Sequence, residues 1–199
     1  PIHLNFFTRT PRLDSLINKQ DIIYVGGGNT KSMLAVWREW KLDKLLLKAY
    51  NRGAILCGVS AGAICWFDKG VTDSWASNLN VMDCMGFVDG CCCPHYDGEK
   101  DRRPSVAKFI TDSVVDSCFA LDDGAALHYK NGKLDGLSAE WYKNGQKELE
   151  GQYKDGKEEG LHTSWYENGQ KAGEEHYKNG KGDGLTTIWY KSGKKNVEK

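Results

Sequence analysis

The chain has 199 residues, of which 40% are hydrophobic, and its 27 basic and 27 acidic residues give a net charge of zero. This length is enough for one medium domain or a smaller domain with an appendage, and the even charge balance argues against nucleic-acid and membrane-surface partners. The apolar runs are too short to span a membrane and the seven cysteines show no disulfide-like pairing, so we predict a cytoplasmic protein.

Residues 1–128 alternate between apolar strands and amphipathic helices. Strands are predicted at "IHLNFF", "DIIYVGG" and "GAILCGV", the last of them buried, and helices at "KSMLAVWREW", "LDKLLLKAY" and "RPSVAKFITDSVVDS". Trp37 and Trp40 fall at helical spacing and are interpreted as core residues. The alternation predicts a parallel sheet with helices on its faces, and functional groups gather at the carboxyl ends of the strands in such sheets.

A glycine-rich loop at residues 26–28 follows the strand "IIYV" and precedes a helix. The Thr-Lys-Ser sequence at 30–32 is similar to the end of a phosphate-binding loop. However, glycine is absent from the positions where that motif and the dinucleotide fingerprint require it. The loop is better suited to presenting backbone N–H groups to a developing oxyanion.

The stretch Gly58-Val59-Ser60-Ala61-Gly62 lies between the strand "GAILC" and the apolar "AICWF". A strand, a G-x-S-x-G sequence and a helix form the context of a nucleophile elbow, in which the glycines permit a tight turn that exposes the serine hydroxyl. Ser60 is therefore a candidate nucleophile. A purely structural glycine-rich turn is the alternative.

A nucleophilic serine needs a base and an orienting acid. His95 follows an apolar run in "CCCPHYDGE", and Asp122 and Asp123 form a turn in "FALDDGAAL"; either aspartate could accept the imidazole N–H, or the turn could simply be solvated. The order serine, histidine, acid differs from that of α/β-hydrolases. The cysteines at 91–93 beside His95 suggest a metal site, but neighbouring strand residues point to opposite faces, so we expect no metal.

In this order, "VGGGNT", "GVSAGAICWF", "VTDS", "CPHYDGE..RR" and "ALDDGAAL" resemble the serine peptidase family of peptidase E (aspartyl dipeptidase) and cyanophycinase, over about residues 2–128. The resemblance implies an α/β fold of the class I glutamine amidotransferase-like type, with a three-layer parallel sheet. It implies hydrolysis of small acidic, aspartate-containing peptides without cofactor or metal. Ser60 would be the nucleophile, His95 the base and Asp123 the acid, where the dipeptidase has Glu; Asp73 is a second choice for an acidic role.

The same resemblance assigns the oxyanion donors and the substrate contacts. The backbone N–H groups of Gly28 and Ala61 would form the oxyanion hole. Arg102 is the closest match to the arginine that holds the substrate's aspartate carboxylate, with Arg103 as an open alternative, and Asn29 is expected to contact substrate. The family's first strand and helix have no counterpart in the sequence, and we expect activity to require that unit.

Residues 129–199 contain three repeats that align without gaps at a spacing of 24 residues. Each repeat has a short aromatic strand, an Asn-Gly or Asp-Gly dipeptide, a second strand ending in Trp-Tyr and another turn dipeptide, which together predict a β-hairpin. A lone hairpin cannot bury its apolar face, so stacked neighbours must cover one another. Trp141, Trp165 and Trp189 are interpreted as the buried spine of this array, and His162 and His176 as surface residues.

The repeats resemble the bacterial variant of the MORN-type repeat, which implies a structural or protein-binding role. We therefore predict a peptidase E-like α/β domain at 1–128 and an all-β array of three repeat hairpins at 129–199. The expected partners are a small acidic peptide substrate and a protein partner at the repeats. The alternative function is a non-catalytic protein-binding module, in which a degenerate peptidase core supports the repeats.

Overall fold

A computed structural model describes residues 2–4, 6, 12–142, 144 and 146–198, without the side chains of residues 141 and 198. The chain divides into two compact units, Pro1–Phe87 and Val88–Lys199. The predicted domain boundary at 128/129 falls inside the second unit and stays a prediction.

The first unit combines parallel strands with amphipathic helices. Its elements are α1 (Leu13–Ile17), β1 (Ile22–Val25), α2 (Thr30–Glu39), α3 (Leu42–Asn51), β2 (Ile55–Gly58), α4 (Ala61–Ile64), β3 (Phe67–Thr72) and β4 (Asn80–Asp83). Strands β1 and β2 are parallel, with Val25 opposite Gly58, whereas β3 and β4 are antiparallel. The pairing of β1 with β2 brings the two glycine-containing loops that follow these strands to one edge.

The core of this unit forms where one face of each long helix is apolar. Helix α2 buries Leu34 and Trp37, and α3 buries its apolar positions at a spacing of three to four residues, as a helical stripe requires. Trp40 is 45% exposed, so its interpretation as a core residue is wrong. Helix α2 ends at Glu39, and Trp40 therefore does not continue the buried stripe.

Two strand predictions need correction. Residues 2–4 are not part of a strand, and Asn5 and Phe7 of the predicted "IHLNFF" strand lie outside the described residues. The strand predicted at "GAILCGV" covers only Ile55–Gly58. It is not a buried strand, because Ile55 is 59% exposed beside the exposed Ile22 and Tyr24 of β1.

The second unit begins with a parallel strand pair and continues into antiparallel strands. Its elements are β5 (Val88–Cys93), α5 (Arg102–Thr111), β6 (Phe119–Ala120), β7 (Tyr129–Lys130), β8 (Lys133–Leu134), β9 (Gly136–Trp141), β10 (Lys147–Lys154), β11 (Lys157–Trp165), β12 (Lys171–Lys178), β13 (Lys181–Gly182), β14 (Thr187–Trp189) and β15 (Lys195–Glu198). Strands β5 and β6 are parallel, with Cys92 opposite Phe119 and Cys93 opposite Ala120.

Strands β7 and β8 form an antiparallel pair of their own. The strands from β9 onwards form an antiparallel sheet in the order β15-β14-β12-β11-β10-β9, and β13 pairs with β12. Contacts within this sheet recur with the 24-residue spacing of the sequence. The Tyr142 hydroxyl donates to the Trp165 carbonyl at 2.7 Å, and the Tyr166 hydroxyl donates to the Trp189 carbonyl at 2.8 Å. An antiparallel all-β region is therefore present, whereas its assignment to three MORN-type hairpins stays a prediction.

The aromatic residues of this sheet differ from the predicted buried spine. Trp165 and Trp189 are half-buried rather than buried, and the side chain of Trp141 lies outside the described residues. His162, interpreted as a surface residue, is only 5% exposed. Its ring packs edge-on against Tyr153 and Tyr177, at centroid distances of 5.3 and 4.9 Å. These tyrosines come from the two neighbouring strands, a contact that a comparison of repeat positions could not reveal.

Parallel pairs alternating with helices agree with the predicted α/β class, while the three-layer amidotransferase-like arrangement stays a prediction. None of the described helices is both long enough and apolar enough to cross a membrane.

Candidate active site

Ser60 occupies a strained turn between β2 and α4. Its backbone has φ 56° and ψ −119°, a conformation rare for a residue with a side chain. The turn is tight because its glycines meet backbone directly: a Cβ on Gly58 would collide with the Gly62 carbonyl, and one on Gly62 with the Val25 carbonyl. The G-x-S-x-G spacing thus lets α4 approach the end of β1, which a side chain at either glycine would prevent.

The glycine-rich loop after β1 lies against this turn. A Cβ built on Gly27 would stand 3.3 Å from the Ser60 Cβ, and the next residue, Gly28, has φ 145°, which favours glycine. Ala61 is the first residue of α4, so its N–H has no acceptor within the helix. The loop containing Gly28 and the N–H of Ala61 therefore belong to the surroundings of Ser60.

Asn29 fixes the glycine-rich loop in place. Its side-chain oxygen accepts the Ser32 N–H at 2.8 Å and caps α2, while its amide nitrogen donates to the Ser74 carbonyl at 2.6 Å. The Ser74 hydroxyl in turn accepts the Thr30 N–H at 2.9 Å. Both ends of the Asn29 side chain are engaged within the protein. Its predicted contact with substrate stays a prediction, as does an acidic role for the exposed Asp73.

His95 and Asp123 form a direct pair. The His95 Nδ1 and the Asp123 Oδ1 are 2.5 Å apart, a charge-assisted hydrogen bond in which the imidazole N–H donates to the carboxylate. The His95 side chain is 28% exposed, and its backbone has a positive φ of 54°. With Nδ1 bonded to Asp123, Nε2 is the ring nitrogen left to exchange a proton.

This pair follows the carboxyl ends of two adjacent parallel strands. The β5–β6 pairing continues past the strands, since the Leu121 N–H donates to the Cys93 carbonyl at 2.9 Å and the Tyr96 N–H donates to the Leu121 carbonyl at 2.9 Å. His95 and Asp123 are therefore held by a backbone ladder. The neighbouring Asp122 is half-buried, and burial, followed by repulsion from Asp97, raises the pKa of its carboxyl.

Arg102 is buried against the protein rather than presented to solvent. Its side chain is 6% exposed, and its Nε donates to a Glu99 carboxylate oxygen at 2.8 Å. It also lies beside the Cys93 thiol, whose pKa burial raises to about 12 although the nearby guanidinium lowers it. Arg103 instead lies over the Tyr96 ring, 5.1 Å from its centroid. The predicted role of Arg102 in holding a substrate carboxylate stays a prediction, and Arg103 is the more accessible of the two.

Among the residues that the structure describes, no group of three or more histidine, cysteine or acidic side chains is arranged to hold a metal ion. Cys91 instead contacts Cys118, with the two Sγ atoms 3.6 Å apart.

Sequence reasoning missed two polar contacts, those of Asp97 and Ser74. Asp97 accepts the Asp123 N–H at 2.8 Å, and Ser74 ties down the glycine-rich loop. Both residues lie inside the motifs "CPHYDGE" and "VTDS", whose residue types are visible in the sequence but whose contacts are not. Ser60 belongs to the first compact unit, and His95 and Asp123 to the second.

Comparison with known proteins identifies relatives for the N-terminal two-thirds of the chain. The profile of Peptidase family S51 matches residues 2–137. The Bacillus subtilis protein named uncharacterized peptidase YgaJ is 50% identical over 136 residues, which is 67% of this chain and 58% of the relative. An uncharacterized peptidase of Listeria innocua is 34% identical over 134 residues, which is 60% of this chain and 64% of the relative. Peptidase E of Salmonella arizonae is 28% identical over 145 residues, which is 67% of this chain and 63% of the relative. The chain thus spans about three-fifths of the length of these relatives.

Proposed function

Because the chain belongs to peptidase family S51, we propose that it is a serine-type peptidase that hydrolyses small, aspartate-containing peptides with Ser60, His95 and Asp123. The relatives' names support the first part of this statement, since they are called peptidases, and in one case peptidase E. The substrate class and the catalytic triad are our proposal.

The conformation of Ser60 carries the proposal. A positive φ at a non-glycine residue costs about 1–3 kcal/mol, and here two glycines without room for a Cβ maintain it. A structural turn would be more stable with glycine at position 60 itself. A serine kept at this cost is understandable if its hydroxyl must project from the turn, as a nucleophile requires.

In the proposed reaction the Ser60 Oγ attacks the substrate carbonyl carbon while His95 Nε2 takes the hydroxyl proton. The resulting imidazolium donates from Nδ1 to the Asp123 carboxylate, which stabilises its charge without accepting the proton. His95 then returns the proton to the leaving amine, and the C–N bond breaks to leave an acyl ester on Ser60. A water molecule, deprotonated by the same histidine, hydrolyses the ester.

Two further contacts complete the proposal. The N–H groups of Gly28 and Ala61 would stabilise the negative oxygen of the tetrahedral intermediate. A guanidinium binds a carboxylate in a bidentate fashion. Arg102 could hold the substrate's aspartate only after leaving Glu99, whereas the Arg103 guanidinium lies over the Tyr96 ring. We therefore include both arginines in the test.

The proposal is tested by labelling the folded full chain with a fluorophosphonate and locating the adduct by mass spectrometry. We expect one adduct on Ser60, absent in Ser60→Ala and slowed in His95→Gln. Hydrolysis of an Asp-Xaa dipeptide is then compared with that of the matched Asn-Xaa dipeptide, which lacks only the carboxylate. Preference for the aspartate should be lost in Arg102→Gln or Arg103→Gln. Folded protein that shows no adduct on Ser60 would exclude the proposed function.

A second function, protein binding by the C-terminal sheet, is favoured by one observation. Leu137, Leu161 and Leu185 occupy equivalent positions 24 residues apart, and these residues are 54%, 42% and 62% exposed. Exposed apolar side chains are what an interaction surface presents to a partner, and each repeat supplies one at this position. If this is the only function, Leu161→Ser should abolish partner capture while Ser60→Ala changes nothing.

A further inference from the structure

Two features around Asp123 are not explained by the proposed triad. The loop between β5 and α5 turns back after His95, so that residues 97 and 98 lie beside Asp123. The Asp97 Oδ1 accepts the backbone N–H of Asp123 at 2.8 Å. The hydrogen bond from Asp123, followed by those from the N–H groups of residues 97 and 98, lowers the pKa of the Asp97 carboxyl, so it stays ionised as an acceptor.

Gly98 contributes through the absence of a side chain. A Cβ at this position would collide with the Asp123 Oδ2 and stand 3.2 Å from its Cγ. The Asp123 carboxylate therefore occupies the space directly over Gly98, while its Oδ1 faces His95. The hydrogen bond to Asp97 thus holds the backbone of Asp123, and the absence of a side chain at Gly98 leaves room for the Asp123 carboxylate.

We propose that Asp97 and Gly98 together act as positioning residues that hold the Asp123 carboxylate against His95. The expected effect on catalysis rests on the proposed function. The contact between Asp123 and His95 lies within the second compact unit and can be tested without it. Asp123 itself is exposed, at 59%, and it follows a strand of only two residues. An exposed aspartate in a short loop samples several rotamers unless its surroundings select one.

Substitutions at Gly98 and at Asp97 should act on Asp123 in different ways. In Gly98→Ala the added methyl group meets only the end of a flexible side chain, and Gly98 does not have a positive φ. The fold should therefore tolerate the change, while the carboxylate must turn away from His95. In Asp97→Ala the Asp123 N–H loses its acceptor, whereas Asp97→Asn keeps an oxygen there and should behave as the conservative variant.

The hydrogen bond can be observed directly, without any activity. We would record the downfield imidazole Nδ1–H resonance of His95 in the full chain by ¹H NMR with ¹⁵N labelling, assigned by its loss in His95→Gln. We expect the resonance in the unsubstituted protein and in Asp97→Asn. It should be lost in Gly98→Ala, Asp97→Ala and Asp123→Ala. Asp101→Ala is the matched control, because the Asp101 side chain makes no capping hydrogen bond at the start of α5.

Kinetics provide the second readout. If the unsubstituted chain hydrolyses the Asp-Xaa dipeptide, Gly98→Ala and Asp97→Ala should lower kcat by about 10- to 100-fold, the effect of a misplaced catalytic group. KM should not change, and Asp97→Asn should recover most of the rate. A resonance that persists in both Gly98→Ala and Asp97→Ala, or that is absent from the unsubstituted protein, would refute the positioning role. Failure of fluorophosphonate labelling together with a normal NMR pattern would instead refute the peptidase function alone.

Discussion

Replacing Gly62 by alanine tests whether the close approach of α4 to the end of β1 maintains the serine turn. A Cβ at position 62 would stand 2.6 Å from the Val25 carbonyl carbon and 2.8 Å from the Gly26 oxygen. An ordinary contact needs roughly 3.5 Å, and the Val25 carbonyl oxygen would be closer still, so the helix must move away from the strand by more than about 0.9 Å. All of these atoms belong to backbone, and no side chain can rotate to relieve the collision.

The displacement should affect both stability and reactivity. Overpacking of this kind costs about 1–3 kcal/mol, and each kcal/mol lowers Tm by roughly 2–4 °C in a chain of this size. Ser60 precedes α4 directly and should move with it relative to the glycine-rich loop. A shift near 1 Å at a reacting centre reduces rate by about 100-fold. The rate of fluorophosphonate labelling should therefore fall strongly even at temperatures where the variant is still fully folded.

The assay combines thermal unfolding with the labelling rate of Ser60, measured well below Tm. Gly26→Ala is the matched control for stability: it lies in the same part of the unit, has no positive φ, and a Cβ there would meet nothing within 4 Å. Its Tm should equal that of the unsubstituted chain. If Gly62→Ala matched Gly26→Ala in Tm and labelled at the unsubstituted rate, glycine spacing would not be what maintains the turn.

Three further outcomes follow from contacts in the second unit. Tyr142→Phe and Tyr166→Phe each remove an equivalent hydrogen bond to a carbonyl, so urea unfolding should show similar losses of about 0.5–1.5 kcal/mol; a loss in only one variant would contradict structural equivalence of the repeats. Gly151→Ala should destabilise the sheet because its Cβ would collide with the His162 ring, and the cost should shrink in the Gly151→Ala/His162→Ala double variant. Burial raises the pKa of the Cys93 thiol from 9.0 to about 12. Between pH 9 and 12 the Cys93 thiol therefore stays protonated in the folded state and is ionised in the unfolded state. The free energy of unfolding is unaffected by this thiol below pH 9 and should fall by about 1.4 kcal/mol per pH unit between pH 9 and 12. Cys93→Ala should flatten that part of the stability curve in urea unfolding.

Much of the first unit could be predicted from local sequence. The helix around Trp37 and the helix beginning at Leu42 follow their apolar stripes, because helical periodicity depends on residues only three to four positions apart. The same rule failed at Trp40. Periodicity identifies the face of a helix but not the residue at which the helix ends, and that end depends on the chain that follows.

The sequence by itself determined the α/β character of residues 1–128, the 24-residue repeat and the candidate residues Ser60, His95 and Asp123. These depend on residue types and short spacings, which are local properties of the chain. Only the tertiary structure placed the Asp123 carboxylate against His95, engaged Arg102 with Glu99 and buried His162 between two tyrosines. The choice between adjacent aspartates depends on the register of the backbone ladder that joins the ends of β5 and β6. A shift of one residue turns a side chain to the opposite face, and that register arises from contacts between segments almost 30 residues apart.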